Sequence, residues 1–156
     1  MNKKQILKYL KETSNNYPDQ NVSRNNNMDD DNIRIEMAIE AHLLWFAQLK
    51  NAIEFGHSNY TPEIVRSDNL CELGKWLVND FPTICLNCDE FEKIKSLHTK
   101  FHIDAAKVFD LALKGNQLEA IKAFELDSAL MKDSVELILA LKKLKRCLRS
   151  YSNASI

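Results

Sequence analysis

His98 and His102 stand one helical turn apart in Leu97-His98-Thr99-Lys100-Phe101-His102. Side chains four residues apart stack on one face of a helix, so the two imidazoles can share one tetrahedral ion. His42 and Cys71 sit on two earlier helical segments, close to apolar positions that should face a core. Together these residues offer four soft or borderline ligands from three helices, a complete Zn²⁺ shell with no vacancy for a substrate. A filled shell points to a structural or sensory metal rather than a catalytic one. The plainer alternative keeps each histidine as a hydrogen-bonded, partly buried side chain and Cys71 as a small core residue.

The positioning elements follow from apolar spacing. A first long helix is expected from about Asp31 to Phe55, where Ile35, Ala38, His42, Trp45, Leu49 and Ala52 make a bundle stripe. His42 takes a place where an aliphatic residue would normally stand. Phe55-Gly56-His57-Ser58-Asn59 reads as a stop and loop. A shorter helix, capped by Ser67 or Asp68, runs through Leu70, Cys71, Gly74, Leu77 and Val78 and ends at Pro82. Its positive end is expected to lower the Cys71 thiol pKa and favour the metal-binding thiolate.

The next helix starts near Asp89 with the stripe Phe91, Ile94, His98, Phe101, Ala105, Val108 and Ala112. Lys114-Gly115-Asn116 marks a junction, with Asn116 and Glu119 resembling a capping box. One final helix is expected to carry Ile121, Phe124, Ser128, Met131, Val135 and Ile138 inward, its stripe drifting onto Leu137, Leu141, Leu144 and Leu148. The fold class is therefore all-α, an antiparallel up-down bundle of three long helices and one or two short ones.

Composition agrees. The chain has 156 residues, 45% hydrophobic, with three Gly, three Pro and a formal net charge of −1. That length suits one domain, and the charge gives no general attraction for nucleic acid or membrane. The expected division is a flexible polar segment over 1–32, the bundle over 33–149 and a frayed tail over 150–156. No signal peptide or spanning helix is visible, so a cytoplasmic location is expected, with cysteines as thiols or ligands rather than bridges.

Three of the elements carry a family likeness. Ala41-His42-Leu43-Leu44-Trp45, Cys71-Glu72-Leu73-Gly74-Lys75-Trp76 and Leu97-His98-Thr99-Lys100-Phe101-His102 resemble the motifs of the chemoreceptor zinc-binding domain. The Cys-x-Leu/Phe-Gly-x-Trp element is the most specific of them, and the likeness covers about residues 33–145. It implies a small helical bundle, often dimeric, holding one zinc through His42, Cys71, His98 and His102. Gly74 would permit close helix approach, and Trp45 and Trp76 would pack around the site. The likeness also implies a regulatory module responsive to zinc, of the kind fused to chemoreceptors or diguanylate cyclases. This chain has no room for a cyclase or a signalling coiled coil, so a stand-alone version is expected, as a homodimer. Oxidation of Cys71 would remove a ligand and offer a second input.

Other assignments compete less well. Cys85 and Cys88 precede His98 and His102 like half of a zinc finger, but the spacer is short and no hairpin pattern precedes it. A redox role for Cys85-x-x-Cys88 lacks a βαβ setting. His98-Thr99 lacks the Glu that a zinc protease places after its first histidine. The one Glu-x-x-His, Glu54 to His57, spans a helix end, unlike a di-iron bundle. There is no glycine-rich phosphate loop, so no enzyme is expected. The basic run Lys142-Lys143-x-Lys145-Arg146-x-x-Arg149 reads as a solvated helix face or as a surface for an anionic partner. A helical protein–protein interaction module without a functional metal is the rival reading.

Overall fold

The structure, a computed structural model, describes residues 24–79, 81 and 89–154. All regular elements among them are helical: α1 (Arg24–Phe55), α2 (Pro62–Arg66), a 3-10 turn (Asp68–Leu70), α3 (Glu72–Asn79), α4 (Asp89–Leu113), α5 (Gln117–Phe124) and α6 (Ala129–Ala154). The protein is an all-α helical bundle. Cys85, Cys88 and Pro82, with the readings placed on them, lie outside the described residues, as does most of the polar N-terminal segment.

Cross-helix pairs give the directions. His42 faces Ser134 and Glu36 pairs with Lys145, so α1 and α6 run antiparallel. Lys93 pairs with Glu136 and Glu90 with Lys143, so α4 is also antiparallel to α6. Helices α1 and α4 therefore point the same way, and α2, the 3-10 turn and α3 carry the chain back between them. Lys143 and Lys145 of the basic run are thus engaged in ion pairs with other helices, whereas Lys142, Arg146 and Arg149 stay exposed.

The apolar stripes on α1 and α4 are buried as their spacing requires, from Ile35 to Ala52 and from Phe91 to Ala112, with Trp45 only partly covered. They build two separate clusters. One joins Ile35, Leu73, Trp76, Phe91, Ile94, Leu97, Leu141 and their neighbours. The other joins Leu49, Ala52, Val65, Phe101, Ala105, Phe109, Leu130 and theirs.

Several boundaries differ from the expected ones. Helix α1 begins at Arg24 rather than about Asp31, and α6 extends to Ala154. Helix α2 was not expected at all. Thr61 caps it by accepting from the Ile64 N–H at 3.4 Å, Pro62 fits its first turn, and buried Val65 anchors it.

The expected single last helix is two. Glu125 is extended at φ −65 and ψ 161, and the Ser128 hydroxyl accepts from the Met131 N–H at 3.3 Å, starting α6 afresh. The break resets the helical phase. Leu130, Ser134, Leu137, Leu141, Leu144 and Leu148 face inward, whereas Ile121 and Val135 are exposed and Ser128, Phe124, Met131 and Ile138 only half-buried. Asn116 makes no side-chain cap. The junction is instead a Schellman motif, with Gly115 at φ 79 and Asn116 N–H donating to the Leu111 carbonyl at 2.9 Å.

Candidate metal centre

The gap between the two apolar clusters holds the buried polar residues. His42, His98 and His102 are 4%, 3% and 3% exposed, so nearly all their surface is removed from water inside a core that gains nothing from unpaired imidazoles. Each therefore needs a partner. His98 Nε2 lies 3.2 Å from Cys71 Sγ. His102 Nδ1 donates to the Val65 carbonyl at 2.5 Å, which fixes the tautomer and leaves Nε2 as an acceptor. His42 Nε2 lies 2.8 Å from the Ser134 hydroxyl.

Cys71 is placed by the turn that precedes α3. Its backbone is extended at φ −81 and ψ 159, so it stands just before the helix rather than in its first turn. Its sulfur accepts from the Gly74 N–H at 3.3 Å and lies 3.4 Å from the Asp68 carbonyl. Asp68 in turn accepts from the Thr99 hydroxyl at 2.5 Å, tying the 3-10 turn to α4. Gly74 makes this fold-back feasible: a Cβ there would fall 1.8 Å from the Asp68 carbonyl oxygen.

One ligand atom each from Cys71, His98 and His102 lies within 4.8 Å of the others. Around a tetrahedral zinc the ligand atoms stand about 3.3–3.6 Å apart, given Zn–N of about 2.0 Å and Zn–S of about 2.3 Å. The three therefore need only a small contraction to share an ion, and a soft sulfur with neutral nitrogens suits zinc. His42 stands outside this group, although it is near enough to His98 and His102 for their charges to repel its protonation.

Electrostatics favour neutral imidazoles. Burial, then repulsion from His98 and His102, pushes the His42 pKa down to about 3. Burial, then His102, lowers His98 to about 4, and burial lowers His102 despite its bond to Val65. All three thus offer lone pairs at neutral pH. Cys71 departs from expectation. Burial raises its pKa above the usual thiol value and outweighs the Gly74 and Leu73 N–H groups that pull the other way. The helix end acts on this sulfur in the expected sense, but desolvation of the charged form is larger.

The other named residues fall around the centre. Trp76 packs on Phe81 and donates its indole N–H to Asp31 at 3.3 Å, while Trp45 packs on Tyr60 and Phe109. They belong to the clusters on opposite sides of the site. His57 is an exposed loop residue. The sequence pattern offers Asp68 only as a possible helix cap and assigns no site role to Val65, Thr99 or Ser134. Ser134 leaves a trace as a polar residue on an inward stripe, and the phase carried through the missed break hid it.

The fold is thus an all-α bundle with an internal histidine–cysteine cluster of metal-ligating residue types. Residues 42–109, less than half of the chain, match the family model described as the chemoreceptor zinc-binding domain. The match opens on His42 and contains Cys71, His98 and His102. The matched family model names zinc, and Cys71, His98 and His102 are placed so that together they could hold a metal ion. No curated protein and no solved structure gives a match. Among the described residues no helix is long and apolar enough to cross a membrane.

Proposed function

We propose that this protein is a regulatory zinc-binding module, not an enzyme, with His42, Cys71, His98 and His102 as the four ligands of one Zn²⁺. The observation that supports it most is the partly buried contact of Cys71 Sγ with His98 Nε2 at 3.2 Å, beside a His102 whose tautomer is already set for ligation. Bound zinc would supply a positive charge that stabilises the Cys71 thiolate and would join side chains from α1, α4 and the turn before α3. The protein's own residues do the rest. Gly74 and Asp68 hold the sulfur, Val65 holds the His102 ring, and the two apolar clusters exclude water. Because ligation energy is partly folding energy, the packing of α1, α3 and α4 depends on occupancy.

A homodimer in the cytoplasm would convert this dependence into altered spacing for a signalling partner of the diguanylate cyclase or chemoreceptor type. Oxidation of Cys71 to a sulfenic acid removes a ligand, so the module reports oxidant as well as zinc. Thermal unfolding with and without a zinc chelator tests the metal. A chelator-induced fall in melting temperature is expected, and it should vanish in the His98→Ala, His102→Ala double variant. An unchanged melting temperature in the parent protein favours the plain helical interaction module. For the second input, hypochlorite should release zinc from the loaded protein; retention of the metal contradicts it.

A further inference from the structure

Ser134 is 2% exposed and is the buried hydroxyl on the inner stripe of α6, otherwise built from Leu130, Leu137, Leu141, Leu144 and Leu148. A hydroxyl in such a stripe loses solvation and contributes no apolar area, so its position is informative through its partner. That partner is His42 Nε2, at 2.8 Å and on a different helix.

The three histidines differ in how they present their rings. His98 turns Nε2 toward Cys71, and His102 uses Nδ1 on Val65 and keeps Nε2 for the centre. His42 spends Nε2 on α6 and does not join the cluster formed by the other three. Its ring rests against Phe101, centroid to centroid 3.8 Å at 47°, a tilted contact. We propose that Ser134 is a competing partner of His42: it holds the imidazole on α6 when the centre is empty and gives it up when His42 turns to join Cys71, His98 and His102.

This inference rests on the four-ligand reading above and adds a route out of the site. The exchange breaks one contact between α1 and α6 and gains one between α1 and the α3–α4 centre. A serine so released in a helix can turn its hydroxyl to the carbonyl one turn earlier, here that of Leu130, so the hydroxyl is not left orphaned. Occupancy is thereby reported to α6, the helix antiparallel to both α1 and α4.

A double-mutant cycle on the full chain tests it, with Zn²⁺ affinity read by competition with a chromophoric chelator. Ser134→Ala removes the competitor with little change in volume. It is expected to tighten zinc binding about three- to tenfold, the worth of one buried hydrogen bond. It should also lower the melting temperature of the metal-free protein more than that of the loaded one. In a His42→Ala background the Ser134→Ala effect on affinity should vanish. If Ser134→Ala leaves affinity unchanged or weakens it while His42→Ala weakens it more than tenfold, Ser134 is not a competitor and the four-ligand reading stands. If His42→Ala itself leaves affinity unchanged, the four-ligand reading falls and this inference with it.

Discussion

His98 and Cys71 show what burial does to two proposed ligands. Both are pushed toward their neutral forms, the imidazole to about 4 and the thiol above its usual range. For the imidazole this is preparation, because the neutral ring is the ligand. For the thiol it is a barrier, because the anion is the ligand and zinc must displace its proton. Zinc affinity should therefore rise with pH through neutrality, as titration calorimetry in buffers of different ionisation enthalpy can show. Cys71→Ser should weaken zinc binding by at least about a hundredfold, since four ligands share about 10–16 kcal/mol in such sites.

The metal-free protein has its own pH dependence. His42 and His98 titrate near 3 and 4 when folded and near 6.5 when unfolded. Between those limits the unfolded chain holds protons that the folded one does not, so stability falls as pH drops below about 6.5. The slope should approach about 1.4 kcal/mol per pH unit for each such proton. Urea denaturation of metal-free protein between pH 7.5 and 4.5 reads it; a flat midpoint contradicts the buried, neutral assignment.

Among the elements, the 3-10 turn and α3 decide the site. Cys71 meets His98 only because the chain folds back over Gly74, where the missing Cβ leaves room for the Asp68 carbonyl. Gly74→Ala should cost roughly 1–3 kcal/mol of stability and weaken zinc binding, because the added carbon displaces backbone rather than a side-chain end. Chemical denaturation and the chelator competition measure the two effects separately.

The legibility of the elements follows the same physics. Long stripes on α1 and α4 are readable because every turn repeats the signal, and His42, His98 and His102 inherit their burial from them. Thr61-Pro62 is a readable start for α2, but its single buried residue, Val65, gives no period. The break at Glu125–Ser128 carries no Gly or Pro, so the apolar phase ran through it and misplaced Val135 inward. The order His42, Cys71, His98-x-x-x-His102 is legible as chemistry. That Cys71 stands before its helix, and that burial outweighs the helix end there, depends on a turn with no sequence period.

At the scale of the whole molecule, a polar centre divides what would otherwise be one hydrophobic core. Buried polar groups in that gap are tolerable only when partnered, so the bundle should be most rigid with the centre filled. Hydrogen exchange at α3 and at the middle of α1 and α4 should slow on zinc loading, with smaller change in α5. Equal protection with and without metal contradicts a coupling of occupancy to packing.

Zinc K-edge X-ray absorption on untagged protein tests the centre most directly. The expected spectrum, at about one zinc per chain, fits one sulfur at about 2.3 Å and three nitrogens at about 2.0 Å, with the sulfur lost in Cys71→Ala. A folded protein that retains less than about half an equivalent, or a zinc shell without sulfur, contradicts the account.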